Sequence, residues 1–395
     1  MYKWCARIIV ITLVFGVCIS GCNRDVQMER GKNIHKQLDA SGCAETSGYR
    51  MAETANGYYV NLGQSLYYSD KTDLSNWVPV CNEPDCNHSQ PSCTSKMSYD
   101  EFYFHNGRIY TIKHKCDVVP RSTENSQVLV SFAPDGTDLE VEFEIVESNI
   151  ASGWMDAVLS VEGVYGQYFE LLNDGTYKAM VVHADKQGTD VIYEGQTSDD
   201  FIVGAQYFWS ANEWGCLYGD LVFSSSALAE SRNDSPGGLF RIVDGSYEPI
   251  SHIGDYNTWG ACLKDDLLYH FEPNRGFYLT DLATGKSQKR MPAQLSNSEA
   301  YHLQSDFIIE TNIYFDSRTV KPQLMIFNDG QWEDVTLPEN AEDLLSGSFI
   351  PLALTTEHIF FHAFGNDGSY LYAVDYAGPK PELTLCAAFS NLFSY

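Results

Sequence analysis

A two-part unit recurs along this chain and constrains its fold more than any other feature. The first part is a short aromatic-aliphatic run: Tyr58-Tyr59-Val60, Ile109-Tyr110, Val164-Tyr165, Leu221-Val222-Phe223, Leu268-Tyr269, Ile313-Tyr314-Phe315 and Ile359-Phe360-Phe361. The second is another short run that ends in aspartate, at Asp70, Asp135, Asp185, Asp244, Asp281, Asp329 and Asp375. Val, Ile, Tyr and Phe dominate the runs, as a pleated and half-buried surface prefers. Turn signals separate them. FYFHNGRIYTI at 102–112 reads strand, Asn-Gly turn, strand, and SFAPDGTDLEVEFEI, IFNDGQWEDVTL and VDYAGPKPELTL each place a turn between two such runs. Helical periods are scarce; 338–346 has room for one or two turns.

Successive aspartates lie 37 to 65 residues apart. A unit of that length with about four short strands predicts an all-β chain, a β-propeller, because one twisted sheet cannot bury both faces but radially arranged sheets cover each other. Seven pairs predict seven blades; irregular first and fourth units leave six or eight open. A pair of β-sandwiches is the competing architecture. The propeller is assigned to 57–395 and is expected to close where its ends meet, with Glu382 to Ala388 completing a sheet with strands near the start.

The N-terminus reads as an address. Lys3 and Arg7 precede an apolar run from Ile8 to Ile19, too short to span a bilayer but fit for a signal-peptide core. The run leads into Ile19-Ser20-Gly21-Cys22, an aliphatic residue and two small ones before a cysteine, which resembles the bacterial lipobox. The resemblance implies that 1–21 is a cleaved signal peptide and that Cys22 is acylated, which would place the protein on the extracytoplasmic face of the cell membrane. Residues 22–56 then carry the lipidated cysteine and a polar tether. The net charge of −28 opposes binding to polyphosphate, so nucleic acid is excluded as a partner.

Eleven cysteines are present, and four fall between 81 and 116. Cys81, Cys86, His88 and Cys93 follow the pattern Cys-x4-Cys-x-His-x4-Cys. Three thiolates and an imidazole suit a tetrahedral structural zinc, and four ligands would leave no open position for catalysis. The alternative is disulfide bonding, with Cys116 as fourth partner and His88 a bystander. With the lipobox and the strand-aspartate units, the segment resembles that of propeller-like lipoproteins of Gram-positive bacteria, a group without an established activity. In either chemistry the loop 81–93 is expected to be cross-linked, since its composition offers almost nothing to bury.

No nucleophile elbow, phosphate loop, dinucleotide fingerprint or zinc-protease motif occurs. Asp199-Asp200 and Asp265-Asp266 read as solvated turns. His358 and His362 read as sheet residues sharing one strand face. Trp209 and Trp214 frame a stretch of aromatic and polar residues, and Trp154 and Trp259 lie beside glycine in turn-like contexts. Such aromatics are candidates for stacking on a sugar or peptide, against a purely packing role between blades. The reading that follows is a membrane-anchored, non-enzymatic binding or scaffold propeller for an extracellular protein, peptide or glycan. The alternative is an extracellular carbohydrate-active enzyme using acids in the propeller channel.

Overall fold

The computed structural model describes residues 50–390 with interruptions, the longest at 199–208, 222–237, 250–261, 312–321 and 340–348; 1–49 and 391–395 also lie outside the described residues. Among the described residues the strands form seven four-stranded antiparallel sheets, each a meander of consecutive strands. The first comprises β1 (Met51–Glu53), β2 (Gly57–Leu62), β3 (Ser65–Asp70) and β4 (Val78–Pro79). The second comprises β5 (Tyr103–His105), β6 (Arg108–His114), β7 (Gln127–Phe132) and β8 (Glu140–Val146), with one helical turn, α1 (Lys115–Val118), after β6. The third comprises β9 (Ser152–Leu159), β10 (Val164–Leu171), β11 (Tyr177–Asp185) and β12 (Gly188–Ser198). The fourth is β13 (Trp209–Ser210), β14 (Leu217–Leu221), β15 (Gly238–Val243) and β16 (Ser246–Pro249), and the fifth β17 (Cys262–Lys264), β18 (Leu267–Glu272), β19 (Gly276–Asp281) and β20 (Lys286–Met291). The sixth is β21 (Glu299–Gln304), β22 (Phe307–Thr311), β23 (Leu324–Asn328) and β24 (Gln331–Asp334), and the seventh β25 (Phe349–Leu354), β26 (His358–Gly365), β27 (Gly368–Asp375) and β28 (Leu383–Ser390).

The repeat marks correspond to fixed places in these sheets. The aromatic-aliphatic runs fall on the second strands β2, β6, β10, β18 and β26. Leu221 is the last residue of β14, while Ile313 to Phe315 lies outside the described residues and follows the second strand β22. Asp70, Asp135, Asp185, Asp281 and Asp375 stand at the turn between third and fourth strands, while Asp244 and Asp329 lie outside the described residues. Asp70 Oδ1 accepts from Thr72 N–H at 2.9 Å and Oγ1 at 2.6 Å, and Asp135 Oδ1 from Thr137 N–H at 3.0 Å and Oγ1 at 2.6 Å. Asp185, Asp281 and Asp375 accept backbone N–H groups of the residues that follow them in the same way. The period is therefore set by a turn that the aspartate side chain closes by mimicking a backbone acceptor. The Asn-Gly hairpin is also present, with His105 opposite Arg108 and Gly107 at φ 74.

Burial follows position within a sheet. The middle strands β2 and β7 are buried along their whole length, on both faces, whereas the last strand β20 is exposed at every position but its end. Strands buried on both faces require packing partners on both sides of the sheet. Tyr59, Leu66 and Tyr68 of the first sheet share a core with Phe104, Ile109 and Phe132 of the second. Ile112 and Leu129 pack with Val164, Met180 and Val182 of the third. Phe277 meets Ile308 between the fifth and sixth sheets, and Ile309 and Ile326 meet Phe361 and Val374 between the sixth and seventh. The last sheet packs on the first: Met51, Tyr58, Val60 and Leu62 share a core with Ala353, Phe360, Leu371, Ala373 and Cys386.

Two expectations are corrected. Glu382 to Ala388 does not join strands near the start; β28 pairs with β27, and the first sheet is built from its own local strands. The ends meet through side chains instead, because each sheet already has four local strands. The folded part begins at Met51 rather than at 57, since β1 carries Met51 and Ala52 into the core although three residues are too few to show alternation. A helical turn occurs at α1, which the sequence does not announce, while the 338–346 stretch lies mostly outside the described residues. No helix among the described residues is long and apolar enough to cross a membrane.

Candidate metal centre

The loop from β4 to β5 joins the first sheet to the second, and backbone bonds fix both of its ends. Val80 N–H donates to Leu66 O at 2.9 Å, Leu66 N–H to Ser95 O at 2.7 Å, and Met97 N–H to Gln64 O at 2.9 Å. These bonds use the β2–β3 hairpin, whose Gly63 and Gln64 both adopt positive φ, as a two-residue type I′ turn demands. Val80 and Met97 bury their side chains in the core between the two sheets. Between these apolar anchors the chain is polar, and its ordering falls to the cysteines.

Cys81, Cys86, His88 and Cys93 converge so that one ligand atom from each lies within 4.8 Å of the others. A tetrahedron of about 2.3 Å metal–sulfur bonds has ligands about 3.8 Å apart, so little closure around an ion is needed. Tight turns create the convergence: Cys86 N–H donates to Glu83 O at 3.2 Å and Cys93 N–H to Gln90 O at 3.0 Å. His88 sits at φ 57, a left-handed conformation that costs a non-glycine residue roughly 1–2 kcal/mol. Its N–H donates to Cys86 Sγ at 3.3 Å and its Nδ1 lies 3.6 Å from Cys93 Sγ.

The four groups are electrostatically unequal. Cys93 is 5% exposed. Burial works to raise its thiol, but hydrogen bonds from Ser95, His88, Cys81 and Cys86 outweigh burial and bring it down to about 6. Burial pushes the Cys81 thiol up to about 12. The cluster thus favours one thiolate at Cys93, next to Ser95 Oγ at 3.1 Å, and a metal ion would supply the charge that stabilises the others. Beneath the loop lies Lys113, 0% exposed, whose Nζ donates to Cys93 O at 2.9 Å and Lys96 O at 2.5 Å. Burial draws Lys113 down to about 8, opposed by the negative charge of Cys93, Asp117 and Cys81.

From the second sheet, the Asp135-Gly136 turn closes on the loop. Gly136 has φ +83, and a Cβ there would lie 2.9 Å from Val80 O and Thr94 Oγ1 and 3.0 Å from the Cys81 Cα. This close approach and the buried lysine escaped the sequence reading. Gly136 reads as an ordinary turn glycine, and Lys113 as one polar residue in a strand.

The remaining candidates are distributed differently. Cys116 lies exposed on α1, outside the cluster, with its Sγ donating to Asp117 Oδ1 at 3.7 Å; His88 takes the fourth place. Trp154 stands on β9 and Trp209 on β13, first strands of neighbouring sheets, while Trp214 and Trp259 lie outside the described residues, as do Cys22 and both aspartate pairs. His358 and His362 do share β26.

No protein-family model matches the sequence, and no curated protein matches it. Among solved structures, a prolyl endopeptidase is similar over 90% of this chain and 51% of its own, at 11% identity and a TM-score of 0.50. The chain therefore spans about half the length of that protein. An acylaminoacyl peptidase of Pyrococcus horikoshii matches 90% of this chain and 54% of its own, at 11% identity and a TM-score of 0.45. BamB of Moraxella catarrhalis matches 89% and 90%, at 12% identity and a TM-score of 0.38. With the prolyl endopeptidase as a propeller neighbour, the chain is all-β and propeller-like; at such identity the likeness concerns the fold alone.

Proposed function

We propose that this chain is a lipid-anchored, extracytoplasmic propeller of seven blades that binds or scaffolds a protein, peptide or glycan partner, with structural zinc at Cys81, Cys86, His88 and Cys93. The observation that carries the reading is the packing of the last sheet on the first, with the metal cluster at the next junction. Both features stiffen a frame from which loops can be presented. A four-ligand site belongs to structure rather than to catalysis. The lipobox supports the anchor, and Trp154 and Trp209 remain candidates for contact with a partner.

The test is a glycan and peptide binding screen on protein lacking residues 1–22, with glycoside hydrolysis assayed in parallel. Saturable binding without turnover is the expected outcome. Turnover of a glycoside, abolished by replacing acids on the first strands, would overturn the non-enzymatic reading.

A further inference from the structure

Lys113 is a buried cation whose hydrogen bonds go only to neutral partners. Its ammonium is fully enclosed and donates to two backbone carbonyls, Cys93 O and Lys96 O. No carboxylate among the described residues forms an ion pair with it, although the negative charge of Asp117 acts on it beside that of Cys93. An ammonium taken from water without a counter-charge costs several kcal/mol, so a fold that keeps one needs an anion nearby. Among the described residues the negative charges that act on it are those of Cys93, Asp117 and Cys81; Cys93 is the buried one of the three, and Lys113 donates to its carbonyl.

Charge then separates the chemistries open to the four ligands. A disulfide is neutral and would leave Lys113 with the partly exposed Asp117 as its counter-charge. A divalent ion with three thiolates and a neutral imidazole carries one net negative charge, which the ammonium cancels. A monovalent ion in the same ligands would leave an excess negative charge, and a trivalent ion an excess positive one. We propose that Lys113 is the built-in counter-charge that tunes the cluster to a divalent ion held by three thiolates and His88. It acts through the loop carbonyls and through space rather than as a ligand, and so is a positioning and selectivity residue. The inference rests on the metal reading above and names the class of ion.

The experiment measures zinc affinity by competition with a chromophoric chelator, and cobalt(II) absorption as a count of thiolate ligands, in the reduced chain lacking residues 1–22. Lys113→Met is expected to weaken zinc binding about 10- to 100-fold with one ion still bound at saturation, the range for loss of an outer-shell partner. Lys113→Gln keeps a donor but no charge; it is expected to weaken binding similarly, and it carries the comparison if Lys113→Met fails to fold. Cys86→His makes the liganded site neutral by itself. It should therefore cost less affinity beside Lys113→Met than beside native Lys113. If the native protein binds neither zinc nor cobalt, the metal reading itself falls. If it binds both and the lysine variants bind equally well, or if Cys86→His costs the same in both backgrounds, the Lys113 assignment falls alone.

Discussion

At the residue scale, His362 is a buried imidazole without hydrogen-bond partners among the described residues. It is 1% exposed, and neither ring nitrogen is hydrogen-bonded. On β26 it lines the same face as His358 and Phe360, and Phe360 packs against the first sheet; the His362 ring lies 3.9 Å from that of Phe364. Burial, reinforced by the positive charge of Arg50, lowers it to about 3. An unfolded histidine titrates near 6.5, so between these values the unfolded chain binds more protons than the folded one. Stability is therefore lost as pH falls below about 6.5, at up to about 1.4 kcal/mol per unit. His362→Leu should flatten this dependence, with a gain over the native protein of roughly 2 kcal/mol at pH 5 relative to pH 7. Denaturant midpoints at the two pH values check it, and carboxylates common to both proteins cancel in the difference. Equal slopes would show that the ring is hydrated or paired. Gly136 makes a second residue-scale case. Gly136→Ala forces a Cβ onto Val80 O in a left-handed backbone, at an expected cost of about 2 kcal/mol or more in thermal unfolding. Unchanged stability would mean that the turn and the loop are not in contact.

At the element scale, the loop 81–93 shows what was legible in the sequence and what was not. Its ligands could be read because metal chemistry restricts residue types and local spacing. The choice between His88 and Cys116 as fourth partner could not, since it depends on where β6 ends and α1 turns. Lys113 was hidden for a similar reason: in RIYTIKH it stands where a strand can equally face solvent, and only the loop folded over it makes it buried. The second-strand marks and aspartate turns were legible in most sheets because each is local. The junction of the first and last sheets was misplaced because it depends on contacts between opposite ends of the chain. The loop also carries a prediction. His88→Ala should weaken zinc binding markedly in the reduced protein, and metal removal should open 81–93 to proteolysis before the sheets unfold. A disulfide loop would be indifferent to both treatments, and alkylation of denatured protein would then find masked thiols.

At the scale of the whole molecule, the decisive contact joins residues separated by nearly the full folded chain. Glu53 of β1 forms an ion pair with Lys71 and accepts from Thr356 N–H at 2.9 Å and Thr356 Oγ1 at 2.5 Å. The Tyr58 hydroxyl lies 3.4 Å from His358 Nδ1, and Tyr67 packs on Phe389 with ring centroids 4.7 Å apart. Among the described residues no strand is shared across this junction, so the seam is held by side-chain burial and a few polar bonds. That arrangement makes the junction sensitive to the outermost strand of the last sheet. Truncation after Pro379 removes β28, uncovers Leu371 and Ala373, and takes Phe389 from Tyr67. If the sheets form one closed ring, the loss should lower the temperature of a single cooperative transition and weaken amide protection in β2 as well as in β27. Phe360→Ala probes the same seam without shortening the chain, and a buried phenylalanine lost from a core costs about 3–5 kcal/mol. An open array of sheets behaves otherwise, since each sheet then depends only on its neighbours and damage at the last one stays local. Unchanged protection in β2 after truncation, with a transition at the native temperature, would therefore overturn closure, even though every individual sheet remained intact.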